Sequence, residues 1–297
     1  MKTLAILTPS YNRAYIITKL YESLMRQTSD DFRWYIVDDG SADNTAEIVK
    51  GFSCNHFEIV YIKKDNGGKH TALNEGLKHI HEELTFIVDS DDYLANDAVE
   101  TIVNDWRTYR TDPTVGGLSY YKLHENGEVV GQKYDSSDAF VDTYTNIRVN
   151  QAVTGDKAEV YRTDVLKAHP FPEFPGEKFL SEAIVWNAIA KAGYKLAFIG
   201  KGIYFCEYLP DGLTSSGRKY RLQTPLGTME HAKSFLYSQV KFQYIMKYML
   251  LYAATRFFSK VTAKEAYRNL ENYKASFIVC FLPGALLALF WKIKYRL

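Results

Sequence analysis

The sequence predicts an α/β protein with a doubly wound, mostly parallel sheet and a helical extension at its C-terminal end. Over the first 110 residues, short apolar runs of β-strand character alternate with segments whose apolar residues recur at helical spacing. A polar cluster directly follows each of these runs. Strands that alternate with helices form parallel sheets with right-handed crossovers. Because 46% of the 297 residues are apolar, the chain can also bury a sizeable core.

Four strands are predicted, each rich in β-branched or aromatic residues and bounded by Pro, Asp, Asn or Gly. They cover residues 3–7, 34–37, 58–62 and 85–88. The helical segments between and after them cover residues 14–25, 43–49, 69–80 and 95–109. Ligands of such sheets bind at the carboxyl ends of the strands. The polar clusters that follow the four strands are therefore expected to line one crevice.

Beyond residue 110 the pattern becomes less regular. Residues 117–123 and 128–130, around Glu125-Asn126-Gly127, are typical of a β-hairpin. A helix is predicted over residues 181–192, and it ends at Gly193. A polar loop is expected to lead from Pro210 to Thr224, where further helices begin.

The C-terminal part combines positive charge with long apolar runs. From Thr224 onward, eleven Lys and Arg stand against three Glu, which gives this part +8 in a chain of net charge +1. An amphipathic helix is predicted from Phe242 to Phe257. Residues 276–291 are almost continuously apolar, contain Pro283-Gly284, and at sixteen residues are shorter than a bilayer span. They predict a re-entrant or interfacial hairpin with basic anchors, or alternatively a buried core helix.

This alternation of basic and apolar residues fits an anionic membrane surface better than a nucleic acid, although a solvated helical hairpin would share it. The three cysteines, Cys54, Cys206 and Cys280, imply neither a disulfide framework nor a metal site. The apolar run after Lys2 is too short for a signal peptide. We therefore expect a cytoplasmic protein that is peripheral at the inner face of the cell membrane.

The cluster Asp89-Ser90-Asp91-Asp92 ends the fourth predicted strand, so that its acidic residues face the crevice. A nucleotide-sugar donor carries a diphosphate, which gains negative charge as the bond to the sugar C1 breaks. A divalent cation held by carboxylates neutralises that charge. One carboxylate can bind the metal while its neighbour accepts a hydrogen bond from a ribose hydroxyl. The alternative is an acidic loop that caps the following helix.

The other three strand ends suit further parts of such a donor. At Asp38-Asp39, a carboxylate can accept from the imide N–H of uracil, or it can cap the next helix. Lys69 and the helix N-terminus after Gly67-Gly68 can attract phosphate, although paired glycines are also ordinary turn residues. Tyr11 offers a ring to the base and Arg13 a guanidinium group to a phosphate.

Sugar transfer with inversion also needs a carboxylate that takes the proton from the acceptor hydroxyl as it attacks C1. Glu182 is the candidate, because it stands at the start of a predicted helix where a side chain can reach a cleft. Glu177 is the alternative base. A capping role behind Ser181 is the alternative role for Glu182.

Taken together, these motifs resemble those of the family 2 glycosyltransferases with the GT-A fold. The resemblance covers roughly residues 1–215, through the motifs at 8–13, 37–41, 66–68, 72–76 and 88–92. It implies that Asp39 contacts uracil, that Asp89 binds the ribose and that Asp91 binds Mn²⁺ or Mg²⁺. It also implies a base about ninety positions beyond the metal motif, where Glu182 stands. The expected donor-binding residues are Thr8, Pro9, Tyr11, Arg13, Asp39, Gly67, Lys69, Asp89 and Ser90.

The resemblance also divides the chain. A catalytic domain is expected over residues 1–215, with a nucleotide-binding half over 1–110 and an acceptor-binding half over 111–215. The helical extension then covers 216–297. Within it, Arg218, Lys219 and Arg221 are expected to close over the donor diphosphate as a mobile loop.

Two departures from the family limit what the resemblance implies. Ala183 follows Glu182 where the family often has Asp, and the Gln-x-x-Arg-Trp motif of processive synthases is absent, which favours addition of a single sugar. We expect a bacterial-type, inverting, non-processive enzyme of surface polysaccharide synthesis. It would move a sugar from a nucleotide-sugar donor, which we expect to be a UDP-sugar, to a hydroxyl of a glycan or lipid-linked acceptor. The alternatives are a sugar-1-phosphate nucleotidyltransferase and a non-catalytic nucleotide-sugar-binding protein. The first would need a Gly-rich loop with Arg and Lys after the first strand.

Overall fold

The computed structural model describes residues 2–206 and 217–296. Its N-terminal part alternates strands and helices as predicted. The elements are β1 (Leu4–Ser10), α1 (Ile17–Met25), β2 (Phe32–Asp38), α2 (Thr45–Gly51), β3 (Glu58–Lys63), α3 (Lys69–His79) and β4 (Leu84–Ile87). Strand β1 pairs in parallel with β2 and β4, and β2 pairs in parallel with β3. The carboxyl ends of all four strands therefore lie at one edge of the sheet.

The following part of the chain extends the same sheet in a mixed arrangement. It consists of β5 (Tyr93–Leu94), α4 (Ala98–Tyr109), β6 (Val115–Leu123), β7 (Phe140–Asp142), a π-helix (Thr145–Asn150), β8 (Lys157–Arg162), α5 (Thr163–Ala168), α6 (Ala183–Lys191) and β9 (Lys195–Phe205). The strand order is β3-β2-β1-β4-β8-β6-β9-β5, with β7 on β9. The predicted α/β class with a doubly wound sheet is confirmed.

Both faces of the sheet are covered, and the strand sequences show why. In β1, Leu4 and Ile6 belong to one buried apolar cluster, whereas Ala5 and Leu7 belong to a second cluster on the other face. Successive strand residues point to opposite faces, so a strand that is covered on both sides is continuously apolar. The edge of the sheet, and not either face, is therefore left for polar chemistry.

The predicted hairpin around Glu125-Asn126-Gly127 forms, with a short second strand. The His124 N–H donates to the Glu128 carbonyl (2.8 Å) and the Val130 N–H donates to the Lys122 carbonyl (2.9 Å), on either side of the antiparallel bridge between Leu123 and Val129. Gly127 in the turn has a φ of 82°. Strand β6 also pairs with β8 and β9, and the local pattern does not reveal those partners.

The C-terminal part of the chain is a layer of helices with its own apolar cluster. The helices are α7 (Gly217–Gln223), α8 (Pro225–Lys233), α9 (Phe242–Thr255), α10 (Ala263–Arg268) and α11 (Lys274–Tyr295), with 3₁₀ turns at Arg256–Phe258 and Glu271–Tyr273. Their cluster includes Met249, Tyr252 and Phe277 and reaches the rest of the molecule through Val149 and Ala183. The predicted boundary at residues 215 and 216 lies outside the described residues, and the domain division stays a prediction.

Two predictions for this layer need correction. The polar loop expected up to Thr224 contains the helix α7, and residues 276–291 form part of one continuous helix instead of a hairpin. Helix α11 runs through Pro283 without ending. Gly284, next to it, packs against Ala253 of α9 so closely that an added Cβ would lie 2.8 Å from the Ala253 Cβ. The segment Glu271–Tyr295 is long and apolar enough to cross a membrane by length and composition, with 28% of its most apolar stretch buried in the protein.

Candidate active site

The loops that follow β1 and β2 are tied together at the carboxyl edge of the sheet. The Asn12 backbone N–H donates to Ser41 Oγ (2.9 Å), and the Ala42 N–H donates to Asn12 Oδ1 (2.9 Å). Asn12 has a positive φ of 53°, a conformation that asparagine tolerates better than most residues. The two loops thus form one wall of a crevice at the switch point between β1 and β4, where doubly wound sheets bind ligands.

Asp39 organises the turn that follows β3. Its carboxylate oxygens accept from Lys64 Nζ (2.8 Å), from the backbone N–H groups of Gly67 (2.9 Å) and Gly68 (2.7 Å), and from Asn66 Nδ2 (3.2 Å). Four donors use the four lone-pair directions of a carboxylate. The predicted contact of Asp39 with uracil would have to displace one of these donors, and it stays a prediction.

Neither acid of the Asp38-Asp39 pair caps a helix. Asp38 accepts from the Ser41 N–H (2.7 Å) and from the Tyr61 hydroxyl. Helix α2 begins after Asn44. At its start, the Asp43 side chain accepts from the Thr45 N–H (3.1 Å). The capping alternative for Asp38-Asp39 was therefore wrong.

The Gly67-Gly68 turn brings the start of α3 against a distant segment. Gly68 has a φ of 98°, and an added Cβ would lie 2.2 Å from the carbonyl oxygen of Lys178. A side chain at this position is excluded both by the backbone conformation and by the contact. The segment 177–182 can therefore approach the N-terminus of α3, which is how Lys69 meets Glu182.

Lys69 joins the acidic cluster after β4 to the candidate base. Its Nζ lies 2.5 Å from Asp89 Oδ1 and 2.9 Å from Glu182 Oε1. Burial alone would lower the pKa of Lys69, but the two carboxylates raise it well above its usual value. Lys69 is therefore charged, and three predicted site residues that are far apart in sequence form one partly buried ion cluster.

The other acids of the cluster have different surroundings. Asp91 Oδ2 lies 3.9 Å from an Arg13 guanidinium nitrogen, and burial together with the charge of Asp89 raises its pKa. Asp92 accepts from the Tyr204 hydroxyl (2.6 Å), and burial raises its pKa to about 7. Asp92 caps no helix, because β5 intervenes and α4 begins after Asp97. The alternative interpretation of this cluster, an acidic loop that caps the following helix, was therefore wrong.

The remaining predicted donor residues divide into buried and accessible groups. Thr8 and Pro9 are buried inside the strand end, and Thr8 Oγ1 accepts from the Trp34 indole N–H (2.9 Å). Ser90 is also buried, whereas the Tyr11 side chain is 47% exposed at the edge of the sheet. Tyr11 and Arg13 are thus the members of this motif that can meet a ligand directly, while Thr8 supports the strand from within.

The carboxylates of the two candidate bases, Glu177 and Glu182, have different hydrogen-bond partners. Both carboxylate oxygens of Glu177 accept from backbone N–H groups at the start of α8, those of Leu226 and Gly227, each at 2.7 Å. Glu182 precedes α6 but makes no side-chain capping bond to it. Glu177 is therefore engaged as a helix cap, and Glu182 is the acid that faces the ion cluster.

Sequence reasoning missed three residues of this site, namely Lys64, Lys122 and Tyr204. Lys122 Nζ lies 4.0 Å from Asp89 and 3.9 Å from Asp92, and 4.0 Å from the centre of the Tyr204 ring. The Tyr204 hydroxyl also accepts from the Asp89 backbone N–H (3.0 Å). A lysine inside the apolar run of β6 was the available signal for Lys122. Lys64 and Tyr204 offered no such signal within their own segments.

Comparison with known sequences identifies the family of the N-terminal part. The profile described as "Glycosyl transferase family 2" matches residues 5–168. Glycosyltransferase GlyG from Streptococcus pneumoniae is 26% identical over 211 residues, which are 68% of this chain and 69% of GlyG. Glycosyltransferase GlyA from the same organism is 34% identical over 123 residues, which are 41% of this chain but 17% of the longer relative.

Solved structures with the same fold extend over nearly the whole chain. TarS 1-349 from S. aureus in complex with UDP-GlcNAc superposes with a TM-score of 0.67 at 22% identity, covering 95% of this chain and 82% of the TarS 1-349 chain. The mannosyltransferase PcManGT from Pyrobaculum calidifontis in complex with GDP-Man and Mn²⁺ gives a TM-score of 0.59 at 17% identity, covering 96% of this chain and 86% of that one. At these identities the similarity establishes the fold.

Proposed function

Because the chain belongs to glycosyl transferase family 2, we propose that it transfers one sugar from a UDP-sugar to an acceptor hydroxyl, with inversion at C1. The observation that carries this proposal is the Lys69 bridge. One ammonium group contacts Asp89, a donor-site acid, and Glu182, the proposed base, at 2.5 and 2.9 Å. The donor would then bind on one side of the Lys69 ammonium group and the acceptor would be deprotonated on the other, as in-line displacement requires.

The roles follow from the surroundings of each group. Glu182 takes the proton of the acceptor hydroxyl, and Lys69 and Arg13 attract the donor diphosphate. Asp89 accepts from the ribose, and Tyr11 stacks on the base. Uridine as the nucleotide is supported by TarS, which was solved with UDP-GlcNAc, whereas PcManGT was solved with GDP-Man.

We propose Mn²⁺ or Mg²⁺ as the cofactor, held by Asp91. Among residues 2–206 and 217–296, no group of three or more His, Cys, Asp or Glu could hold a metal by itself. Such cations are, however, often bound by one or two carboxylates together with substrate phosphates. Asp91 fits this arrangement, because burial and Asp89 raise its pKa and a cation would relieve that cost. When bound, the cation neutralises charge on the leaving diphosphate.

We also propose that the acceptor is a glycan or a lipid-linked glycan of a surface polysaccharide and that α11 lies on an anionic membrane, at the inner face of the cell membrane. Leu282, Leu286 and Ile293 of α11 are 70–72% exposed. Lys292 and Lys294 follow on the same helix. An exposed apolar face with basic residues at its end is typical of helices in the membrane interface.

Release of free UDP from a panel of UDP-, GDP- and TDP-sugars, with Mn²⁺ or Mg²⁺, tests the proposed reaction. Replacing the base or the metal ligand, by Glu182→Gln or Asp91→Asn, should lower turnover by roughly 10²-fold or more. Glu128→Gln is the control, because it removes an exposed carboxylate outside the site. Normal turnover in both site variants would exclude this mechanism. Pyrophosphate as the product would identify a nucleotidyltransferase, and no product at all would identify a binding protein.

A further inference from the structure

A small cavity lies between segment 177–182 and the C-terminal helices. Its volume is about 80 Å³, and its polar lining comes from Ser181, Arg218, Arg221, Thr228 and His231. Pockets that enclose a whole small ligand typically measure about 300–1,000 Å³. This cavity therefore has room for one chemical group of a ligand and not for a complete sugar nucleotide.

The mouth of the cavity carries two positive charges. Arg218 lies over the ring of Trp291, 5.1 Å from its centre, and Arg221 lies over the ring of Phe179 at 5.9 Å. Both arginines are exposed. None of the residues found to line the cavity is acidic. The cavity thus offers guanidinium donors, which bind phosphate in a bidentate manner.

One carboxylate close to this lining is that of Glu177. It would lie 3.3 Å from a Cβ added at Gly227, which lines the cavity. Both of its oxygens already accept from the backbone of α8. Its charge is therefore taken up by the helix start, and the arginines keep their donors for another group.

His231 adds a neutral donor or acceptor. Its ring packs edge-on against Phe235 and Tyr248, and its Nδ1 is buried without a hydrogen-bond partner among the described residues. Burial, reinforced by the charge of Arg221, lowers the pKa of His231 to about 4. Because a buried polar atom without a partner costs free energy, its presence beside two arginines indicates a site that a ligand completes.

Segment 177–182 separates this cavity from the donor side of the site. On one side, the Lys178 carbonyl packs against Gly68, and Glu182 contacts Lys69. On the other side, Phe179 and Ser181 line the cavity. A ligand bound in the cavity would therefore approach Glu182 from the side away from Asp89. Under the proposed function, the molecule that approaches the base from that side is the acceptor.

The cavity is also next to the helix with the exposed apolar face. Trp291, whose ring faces Arg218, belongs to the buried side of α11, whereas Leu286 and Ile293 are exposed on the same helix. An acceptor with an apolar chain along α11 would thus bring its polar head to the arginines. Three features therefore follow one another in space: the apolar surface of α11, a basic cavity of the size of a phosphate group, and the proposed base.

We infer that this cavity binds a phosphate group of the acceptor, so that the acceptor is a lipid-linked sugar phosphate. The inference rests on the proposed function for the identity of the base, but phosphate binding itself can be measured without any transfer. The alternative is the expectation that Arg218, Lys219 and Arg221 close over the donor diphosphate. The two ideas differ in which ligand loses affinity when the arginines are changed.

The test uses farnesyl phosphate as the probe, with farnesol and inorganic phosphate as its two halves, and calorimetric titration of the full chain. The variants are Arg218→Gln with Arg221→Gln, and Arg221→Lys, which keeps the charge. Arg268→Gln is the matched control, because it removes one exposed arginine from the same helical layer. UDP is titrated into every protein in parallel, so that a failure of the donor site is recorded separately.

We expect farnesyl phosphate to bind the native protein and the Arg268→Gln control alike, and the double variant at least about tenfold more weakly. Arg221→Lys should retain most of the affinity, and the UDP affinity should stay within about twofold throughout. Equal binding of farnesyl phosphate by the double variant would overturn the inference. So would equal affinity for farnesol, which would indicate an apolar site, or for inorganic phosphate, which would indicate a free-anion site. Loss of UDP binding alone would return the arginines to the donor.

Discussion

Lys69 contacts Asp89 and Glu182 at once, and its position has a consequence for the order of events in the proposed reaction. While Lys69 Nζ lies 2.9 Å from Glu182 Oε1, the ammonium group occupies the side of that oxygen that faces the acidic cluster. A donor diphosphate would attract the same ammonium group. Donor binding would then draw Lys69 toward the phosphates and leave Glu182 Oε1 open to the acceptor hydroxyl.

Replacement of Lys69 by Met should therefore weaken UDP binding. A charge-assisted hydrogen bond contributes about 1.5–3 kcal/mol, so the loss should be roughly tenfold or more. Calorimetric titration of UDP measures it, and Lys63→Met is the control because Lys63 is an exposed lysine at the end of β3. Unchanged UDP affinity in Lys69→Met would mean that this ammonium group serves only to tie the acids together.

Glu159 of β8 provides a pH-dependent test of the electrostatics around the base. Burial, together with Glu182 and Asp156, raises its pKa from 4.5 to about 7, against the opposing effect of Arg148 and Lys122. Between these two pH values the folded state holds more protons than the unfolded state, so stability falls as the pH rises. Below about 4.5 the effect is absent, and above about 7 the full cost remains.

The free energy of unfolding should therefore decline from pH 5 to pH 8 more steeply in the native protein than in Glu159→Gln, which lacks this titration. Urea unfolding at both pH values measures the difference, with Glu128→Gln as a control for loss of an exposed carboxylate. Parallel slopes for the native protein and Glu159→Gln would show that Glu159 ionises as freely as in the unfolded chain.

At the residue scale, what could be predicted depended on sequence distance. Asp89, Asp91 and Asp39 follow strands directly, and the strand-end rule was sufficient to bring them to one edge. Lys122 and Tyr204 reach the same acids from β6 and β9. The positions of Lys122 and Tyr204 in the site depend on which strands pair across the sheet. Neither the spacing nor the composition of their segments reveals that pairing.

At the level of elements, the Gly67-Gly68 turn decides whether the proposed base, Glu182, reaches Lys69. The φ of 98° at Gly68 and the Lys178 carbonyl, 2.2 Å from an added Cβ, together leave no room for a side chain. Gly176 has a similar φ of 82°, but an added Cβ there would meet nothing within 4 Å. Comparing alanine variants at the two glycines therefore separates the free-energy cost of backbone strain from the cost of the close contact.

Gly68→Ala should destabilise the protein by more than Gly176→Ala and should also lower turnover, because segment 177–182 must move away from α3. Strain from a left-handed alanine costs on the order of 1–3 kcal/mol in either variant. Thermal unfolding and UDP release measure the two effects. Equal stability and equal activity of the two variants would contradict the role given to this close approach.

Elements with strong local signals were predicted well, and those whose form depends on distant partners were not. The first four strands and the helices α1, α2 and α3 follow from periodicity and turn residues. The turn after β6 also follows from its local Glu125-Asn126-Gly127 signal, whereas the pairing of β6 with β8 and β9 could not be predicted. Helix α11 continues through Pro283, and the adjacent Gly284 packs closely on Ala253 of α9, a contact with a distant element that the local pattern does not contain.

At the scale of the whole molecule, charge and apolar exposure are both concentrated on the C-terminal layer. From Thr224 onward this layer carries +8 in a chain of net charge +1, and Arg218, Lys219 and Arg221 of α7 add three further positive charges. Several of the most exposed large apolar side chains are those of α11, with Leu282 at 72%. The catalytic edge of the sheet lies across segment 177–182 from this layer. Attachment through α11 would hold the acceptor side of the site at a lipid surface, where a lipid-linked acceptor is concentrated.

Replacement of Leu282 and Leu286 by Gln should weaken binding to phosphatidylglycerol vesicles by about tenfold or more, because burial of one leucine contributes about 1.5–3 kcal/mol. Both side chains are at least 70% exposed, so thermal stability should not fall. The control pair, Met25→Gln with Val141→Gln, removes two exposed apolar side chains from the catalytic part and should bind normally. Since each basic residue near an anionic surface adds about 1 kcal/mol, high salt or neutral phosphatidylcholine vesicles should also reduce binding. If the leucine variant sedimented with vesicles as the native protein does, the face of α11 would be assigned to a protein partner instead of lipid.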